Sequence, residues 1–318
     1  MNPPAETQEH TAQFPLEQGG DGSFQRQKDA FRRWVKNDKD AEFPAVADRY
    51  HLYVSLACPW AHRIILLRRF KGLESAIGLT VVDPIRNDTD GWAFRDGPGH
   101  TTDPINGFRL LKEAYLATDP SFSGRVTVPV LWDKHTRTIV SNSDDDLLRM
   151  LNSEFNAFAR NAAPDFYPEP LRAEIDRLNE VIYQTVNDGV YRAGFATTQE
   201  AYEKGVYPLF DTLDLLETRL GRSRFLFGDQ IVETDIRLFV SLIRFDPVYH
   251  GHFKCNLRRI ADYQNLSRFL ADFYELPGVA ETVNFDHIKR HYYVTHDDIN
   301  PTQIVPVGPW PLLPRKRS

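Results

Sequence analysis

Cysteine is scarce in this sequence: its 318 residues include two, Cys58 and Cys255. Two cysteines cannot form the disulfide framework of a small secreted protein, and they cannot supply a cysteine-based zinc site. We therefore expect a reducing, cytoplasmic compartment, in which a free thiol is available for chemistry.

Long apolar runs and an excess of positive charge are also missing. No stretch approaches the ~20 apolar residues that a membrane helix needs, and the polar segment 1–22 lacks the apolar core of a signal peptide. The net charge of −6 argues against nucleic acid or an anionic membrane as the main partner. The one basic cluster, Arg315-Lys316-Arg317, is interpreted as a solvated tail.

Length and pattern predict two domains behind an irregular extension. The extension covers residues 1–46 and contains one short helical stretch at 29–35. Residues 47–155 alternate between strand and helix patterns, beginning with a strand, a helix and a second strand that together form a parallel βαβ unit. From residue 165 to residue 318 the patterns are helical only. The predicted fold class is therefore an α/β domain followed by an all-α domain.

The predicted elements surround a long loop at 83–106, which is rich in glycine and proline. Loops of this length are uncommon in compact domains unless they serve a site or are disordered. Strands are predicted at 50–55, 79–82, 126–132 and 138–140, and the helices between them at 59–71, 105–117 and 144–151. In the second domain, helices are predicted around 175–186 and at 199–220, 234–244, 263–276 and 279–283.

Cys58 lies where the first predicted strand meets the first predicted helix. A thiol at a helix N-terminus is close to the positive end of the helix dipole and to free N–H groups, which lower its pKa. This placement makes Cys58 the candidate nucleophile, and the alternative is an inert buried cysteine. Residue 61 is alanine, so no local disulfide can form, and an external thiol must resolve any mixed disulfide.

Pro129 interrupts a predicted strand, where proline cannot donate a hydrogen bond to the ladder. The conflict is resolved if this face of the strand belongs to a site, or if the preceding peptide bond is cis.

Several long segments carry a family resemblance, and they occur in the expected order. They read YHLYVSLACPWAHR at 50–63, GRVTVPVLWD at 124–133, IRL at 236–238 with RFDPVY at 244–249, and TVNFDHI at 282–288. From about residue 24 to residue 310 the chain resembles the glutathionyl-hydroquinone reductases, also called Xi-class glutathione transferases. The resemblance implies a thioredoxin-like N-terminal domain, a helical C-terminal domain and a homodimer.

The resemblance also implies how a thiol co-substrate is bound. It places Trp92, from the long loop, over the bound thiol. Next to Pro129, the backbone of Val128 would pair with the cysteinyl part of the ligand, in the manner of strand addition. Arg125 belongs to the same candidate site. An aromatic residue in a loop and a proline in a strand are also common as purely structural features.

Three tyrosines support an aromatic substrate. Tyr191, Tyr249 and Tyr292 match positions that in the family face the catalytic cysteine. Their hydroxyls could hydrogen-bond the two oxygens of a hydroquinone in a water-poor pocket. Any single tyrosine of the 13 in the chain is more often ordinary packing, so the expectation depends on all three converging near Cys58.

One pair of residues departs from the family pattern. Where the family has Glu-Ser, which holds the γ-glutamyl group of glutathione, this chain has Ser143-Asp144. Ser143 cannot balance an ammonium group, and Asp144 would repel the ligand carboxylate. The hypothesis is that the thiol is not glutathione but a sugar-linked cysteine thiol such as mycothiol, whose hydroxyls Asp144 and Asp145 can accept. The alternative keeps glutathione, with compensation from a neighbour such as Arg125 or Asp145.

The expected activity is the reduction of S-thiol-hydroquinone adducts to the free hydroquinone through a mixed disulfide on Cys58. An omega-like thioltransferase or dehydroascorbate reductase would use the same cysteine without the three tyrosines. A non-catalytic binding protein on the transferase fold is the third interpretation, and the retained Cys58 argues against it.

The other chemistry-bearing residues are interpreted as structural. His62, four residues after Cys58, lies on the same helix side and is expected to be a hydrogen-bonded structural histidine. Cys255 is expected to be a free thiol without a role. His250 and His252 form an H-x-H pair without a third ligand, so no metal site is predicted there.

Overall fold

The computed structural model describes residues 12–87 and 89–313. The predicted tail cluster Arg315-Lys316-Arg317 and the first eleven residues of the predicted extension lie outside these ranges.

A four-stranded mixed sheet forms the centre of the first half. Its strands are β1 (Tyr50–Val54), β2 (Ile77–Val81), β3 (Val130–Asp133) and β4 (Thr138–Ser141), in the spatial order β2-β1-β3-β4. β1 pairs with β2 in parallel, as the βαβ pattern predicts. The pairs β1–β3 and β3–β4 are antiparallel. All five residues of β1 are buried, which places this strand in the middle of the core.

The helices beside this sheet are α1 (Pro59–Phe70), α2 (Lys112–Thr118) and α3 (Asp144–Ser153). Helix α1 begins with proline, which lacks the N–H that would be unpaired in a first turn. It ends at Phe70, and its C-cap Lys71 precedes Gly72, whose φ of 64° is in the left-handed region. Helix α3 has three aspartates in its first turn, where the helix dipole favours negative charge.

The predicted helix at 29–35 is wrong. This part of the extension instead pairs with the edge of β4, because the N–H of Arg33 donates to Val140 O and the N–H of Asn142 donates to Phe31 O, both at 3.0 Å. The apolar residues whose spacing suggests a helix there pack against the edge of the sheet instead.

The predicted helix at 105–117 starts later, as Lys112–Thr118. The carboxylate of Asp103 accepts hydrogen bonds from the N–H groups of Ile105 and Asn106 at 3.0 Å each. The Asp103 carboxylate thus holds these N–H groups in a local turn at residues 104–106, in place of the first turn of the predicted helix.

The strand predicted at 126–132 begins at Val130. The peptide bond between Val128 and Pro129 is cis, so the chain turns there and pairs as a strand only afterwards. The cis alternative predicted for this proline is confirmed.

The second half consists of helices. They are α4 (Arg172–Ile182), α5 (Gly189–Gly194), α6 (Gln199–Leu220), α7 (Glu233–Arg244), α8 (Gln264–Tyr274) and α9 (Phe285–Thr295). Every residue of α7 is buried, and this helix packs against both α1 and α4. It is therefore the element through which the two halves share one core.

Two features of the helical half were not predicted. Helix α9 begins after Asn284, whose side chain accepts a hydrogen bond from the N–H of His287. Single π-helical turns follow α4 and α7, at Tyr183–Asn187 and Phe245–Tyr249. Such turns insert one extra residue and re-aim the side chains that follow, and Tyr249 belongs to the second of them.

Candidate active site

Cys58 is the N-cap residue of α1, and Pro59 is the first helical residue. Its thiol donates a weak hydrogen bond to the carbonyl oxygen of Val128, with 3.5 Å between Sγ and O. Because Val128 precedes the cis-proline, the nucleophile and the backbone expected to bind a cysteinyl group lie side by side. The residue is 9% exposed, and it lines the main cavity.

The pKa of Cys58 differs from the expectation. Burial raises the pKa of the thiol above its ordinary value, although the N–H groups of Ala61 and Trp60 and the charge of Arg244 act in the opposite direction. The helix N-terminus therefore does lower the pKa, as predicted, but desolvation of the thiolate outweighs it in the unliganded protein. A bound thiol or substrate lowers the pKa of Cys58 only if it also stabilises the negative charge of the thiolate.

The cavity beside Cys58 has a volume of about 830 Å³, which is large enough for a thiol joined to an aromatic ring. Both halves of the chain and the N-terminal extension contribute to its wall. Its wall includes a part rich in aromatic residues, called the aromatic end, and a group of aspartates at the N-terminus of α3, called the charged end.

The aromatic end contains the predicted tyrosines. The hydroxyl of Tyr292 is 2.6 Å from that of Tyr191 and 3.2 Å from that of Tyr249. Tyr191 and Tyr292 line the cavity together with Cys58. Tyr249 is fully buried behind them and does not reach the wall. The three tyrosines thus converge, but two of them face the cavity and the third supports them.

All three tyrosines are neutral at physiological pH, since burial raises the pKa of Tyr191, Tyr249 and Tyr292. The charge of Arg244 lowers the pKa of Tyr249 and Tyr292 against this effect. Neutral hydroxyls can donate as well as accept hydrogen bonds, which suits them to a substrate oxygen whose charge changes during a reaction.

Trp92 lines the cavity and is 6% exposed. Its ring stacks on His291, with 5.1 Å between the ring centroids and an angle of 17°. The Nδ1–H of His291 donates to Pro84 O at 2.7 Å, and burial lowers the pKa of this histidine to about 3. A neutral, anchored imidazole therefore holds the indole at the cavity wall.

Arg125, Val128 and Pro129, the other residues expected at the thiol site, also line the cavity. The Nε atom of Arg125 lies 2.8 Å from a carboxylate oxygen of the buried Glu17. Glu17 belongs to the N-terminal extension, so the placement of this arginine depends on a segment without a predicted role.

The charged end of the cavity lies at the N-terminus of α3. The hydroxyl of Ser143 caps the helix by accepting from the N–H of Asp146 at 3.4 Å. Ser143 is buried and does not line the cavity, whereas Asp144 and Asp145 do. Asp144 accepts a 2.6 Å hydrogen bond from the fully buried Arg63, so its carboxylate is paired inside the protein.

Residues of the extension were missed by sequence reasoning. Phe14, Phe24 and Arg26 line the cavity. The guanidinium of Arg26 lies 4.8 Å from the ring centres of both Trp60 and Tyr191. No local pattern signals this placement, because the extension has little regular structure beyond the short 3-10 helix Pro15–Glu17 and its role depends on long-range contacts.

Two further reactive side chains, His62 and Cys255, lie outside the cavity wall. His62 is fully buried and hydrogen-bonded to Thr282 and Arg244, as expected of a structural histidine. Cys255 is a buried free thiol, and burial raises its pKa.

Within residues 12–87 and 89–313, no three histidine, cysteine or acidic side chains come together as a metal site. Over the same ranges, no helix has the length and apolar character to span a membrane.

Known protein families match both halves of the chain. The glutathione S-transferase N-terminal domain matches residues 57–154, and the glutathione S-transferase C-terminal domain matches residues 199–272.

Individual relatives match over nearly the whole length. The chain is 53% identical to glutathionyl-hydroquinone reductase YqjG of Escherichia coli, over 91% of this chain and 90% of the relative. It is 50% identical to glutathionyl-hydroquinone reductase PcpF of Sphingobium chlorophenolicum, over 92% of each.

Solved structures agree with these matches. The glutathione-bound structure of YqjG superposes with a TM-score of 0.85 at 52% identity, covering 88% of this chain and 93% of the other. The glutathione transferase Xi of Phanerochaete chrysosporium gives 0.87 at 50% identity, covering 90% and 97%. These relatives are similar in sequence and in fold along both halves of the chain.

Proposed function

This chain belongs to the Xi-class glutathione transferases, the family of the glutathionyl-hydroquinone reductases, and we propose that it reduces thiol–hydroquinone adducts through Cys58. The observation that carries the proposal is the convergence of two different chemistries in one cavity. The Cys58 thiol and the cis-proline backbone suit a sulfur ligand, and Tyr191 and Tyr292 suit the oxygens of an aromatic ring.

In the first step, the Cys58 thiolate attacks the sulfur atom that joins the thiol to the ring. A sulfur–sulfur bond forms, the sulfur–carbon bond breaks, and its electron pair goes to the ring carbon, which takes up a proton. The two sulfurs are oxidised to a mixed disulfide, and the ring is reduced to the free hydroquinone. Because carbon is a poor leaving group, the neutral hydroxyls of Tyr191 and Tyr292 assist by donating to the ring oxygens as charge develops there.

In the second step, the thiolate of a second low-molecular-weight thiol attacks the mixed disulfide. The products are the symmetric disulfide of the thiol and the free Cys58 thiolate. Residue 61 is alanine and Cys255 is buried elsewhere in the fold, so the resolving thiol has to come from solution.

The tyrosines separate this proposal from an omega-like thioltransferase or dehydroascorbate reductase. Those activities need the cysteine and a thiol site, but not a linked set of phenolic hydroxyls. The hydrogen bonds that join the Tyr292 hydroxyl with those of Tyr191 and Tyr249 therefore favour the hydroquinone substrate. A non-catalytic binding protein is disfavoured because Cys58 lines the cavity rather than the core alone.

The proposal is tested by incubating the protein with a thiol–hydroquinone adduct in the absence of free thiol. We expect one equivalent of hydroquinone to be released and the mass of Cys58 to increase by that of the thiol. The matched controls are Cys58→Ser, which should do neither, and Cys255→Ser, which should do both. Release of hydroquinone by Cys58→Ser at the wild-type rate would contradict the proposal.

The identity of the thiol is a separate question, and the charged end of the cavity bears on it. Asp144 and Asp145 line this end, and Ser143 is turned away into the helix cap. Arg63 pairs with Asp144, and Arg237 pairs with Asp145. These ion pairs reduce the repulsion that the two aspartates exert on a ligand carboxylate, but their free oxygen lone pairs accept hydrogen bonds from hydroxyl and ammonium groups. Besides glutathione, we therefore propose a sugar-linked cysteine thiol such as mycothiol as co-substrate.

The two thiols are compared by measuring kcat/KM for matched adducts of glutathione and mycothiol. A higher value for mycothiol is expected, and a higher value for glutathione would contradict this part of the proposal. The double variant Ser143→Glu with Asp144→Ser introduces the residues of the family pattern. It should improve the glutathione reaction by about tenfold, which corresponds to one charge-assisted hydrogen bond.

A homodimer and a cytoplasmic location stay predictions that rest on the family resemblance and on cysteine usage. Light scattering on the purified protein measures the first, and fractionation of the native cell measures the second.

A further inference from the structure

Arg244, the last residue of α7, is fully buried beside the turn that carries Cys58. Its Nε donates to Ala57 O at 2.8 Å, and its Nη2 donates to Leu56 O at 3.1 Å. These carbonyls belong to the two residues directly before Cys58. A side chain of the helical half thus fixes the backbone of the nucleophile turn in the thioredoxin-like half.

The two N–H groups of Arg244 Nη1 also donate to neutral acceptors. Nη1 donates to Val240 O at 2.8 Å and to Nδ1 of His62 at 3.0 Å. The Nε2–H of His62 donates to Thr282, whose own hydroxyl donates to Val279 O. Burial, together with the charge of Arg244, lowers the pKa of His62 well below its ordinary value, so this histidine is neutral and its tautomer is fixed.

Within the part of the chain that the structure describes, no carboxylate lies within 4.0 Å of the Arg244 guanidinium, in contrast to Arg63 and Arg237 nearby. A buried charge without an ionic partner is costly. The C-terminal end of α7 offsets part of that cost through its negative dipole. The charge of Arg244 favours ionisation of Cys58 and of the phenols Tyr249 and Tyr292, and of these groups the thiolate is the one that the proposed reaction forms.

We propose that Arg244 is a positioning residue of this site, which fixes the Cys58 turn and supplies the buried positive charge opposite the thiolate. The inference rests on the proposed function, because a thiolate is what the reaction requires. It also explains how a cysteine buried among aromatic rings can ionise during turnover. Arg244 touches neither the substrate cavity nor the reacting atoms, so its effect passes through Cys58.

Other charged groups face Cys58 and are held constant in the test. Asp144, on α3, raises the pKa of the thiol. Arg125, before β3, interacts favourably with the thiolate. Tyr191 and Tyr249 would repel it if they were ionised, but burial keeps both neutral.

The test measures how fast iodoacetamide alkylates Cys58 between pH 6 and pH 11, with the Cys58 peptide quantified by mass spectrometry. The variants are Arg244→Gln and Arg244→Lys, and Arg219→Gln on α6 is the matched control. For Arg244→Gln we expect the midpoint of the profile to rise by about one pH unit, so that alkylation at pH 7 falls ~10-fold. Arg219→Gln should reproduce the wild-type profile.

A folded Arg244→Gln variant with the wild-type profile would overturn the proposal. If Arg244→Gln does not fold, Arg244→Lys decides, because it keeps the charge but loses the two-pronged contact with Leu56 and Ala57. Its midpoint should stay near that of the wild type while its rate at high pH falls severalfold. A wild-type midpoint together with a wild-type rate would overturn the positioning role. Alkylation needs no hydroquinone, so the inference can stand even if the proposed substrate is wrong.

Discussion

The reactivity of Cys58 depends on two opposed influences on one sulfur atom. Burial raises the pKa of the thiol, while the N–H groups at the start of α1 and the charge of Arg244 lower it. The helix-start position is visible in the sequence, and the burial is not. The helix N-terminus alone therefore indicates the direction of that one effect correctly, but it predicts a lowered pKa for Cys58 where the net shift is upward.

The first prediction concerns the pH dependence of this thiol. Because the pKa of Cys58 lies above its ordinary value in the unliganded protein, the alkylation rate should still be rising where a free cysteine, with a pKa near 8.5, has begun to level off. Below the pKa the rate should increase tenfold per pH unit. The rate is followed with iodoacetamide from pH 6 to pH 11. A plateau below pH 8 would show that the dipole and Arg244 outweigh burial.

The second prediction concerns Tyr292, whose hydroxyl is the shared partner of Tyr191 and Tyr249. Tyr292→Phe removes one donor from the cavity wall and the hydrogen bond that orients a second. We expect kcat for a thiol–hydroquinone adduct to fall ~10- to 100-fold, or about 1.4–2.7 kcal/mol in the barrier, with little change in KM. Steady-state kinetics measure both quantities.

The matched control for that variant is Tyr293→Phe. Tyr293 is the next residue and is also buried, but its hydroxyl donates to Pro247 O at 3.2 Å, away from the three linked tyrosines. Its activity should stay within about threefold of the wild type. Equal losses in Tyr292→Phe and Tyr293→Phe would mean that packing, and not the phenolic hydroxyl, explains the effect.

At the scale of helices and strands, the sequence predicts an element well where hydrophobic periodicity decides its extent. Helix α6 has the predicted bounds, Gln199–Leu220, and β4 differs from its prediction by one residue. Prediction fails where hydrogen bonds that periodicity does not show take up the backbone. The carboxylate of Asp103 binds N–H groups just after it, so that α2 starts later than predicted. The edge of β4, far along the chain, pairs with the backbone of residues 31–33, and this partner becomes visible only once the chain has folded.

The third prediction concerns the start of α7, the most buried helix. The carboxylate of Asp235 accepts from the N–H groups of Leu226 and Val232 at 2.8 and 2.9 Å. Asp235→Ala leaves both buried donors without a partner, so the free energy of unfolding should fall by about 2–4 kcal/mol. Urea denaturation measures the loss. Asp211→Ala, at an exposed position on α6, is the control and should change stability by less than about 0.5 kcal/mol.

At the scale of the whole molecule, the N-terminal extension links the two halves over the cavity. Glu17 pairs with Arg125 of the first half, and Arg26 pairs with Asp188 of the second at 2.6 Å. The sequence predicts the two domains and places Cys58, Trp92 and the tyrosines in a common site. It does not predict that the extension forms a wall of that site, since irregular segments carry no periodicity from which burial can be inferred.

The last prediction tests that wall. Arg26→Met keeps an apolar stem over Trp60 and Tyr191 but removes the ion pair with the buried Asp188. Because a charge-assisted hydrogen bond contributes about 1.5–3 kcal/mol, the segment should detach more often. KM for the adduct should then rise ~10-fold or more, with a smaller change in kcat, and limited proteolysis should cut the extension faster. Lys39→Met removes the same charge from an exposed position in the same segment, and both readouts should stay unchanged. A wild-type KM in a folded Arg26→Met variant would mean that the extension covers the cavity without contributing to substrate binding.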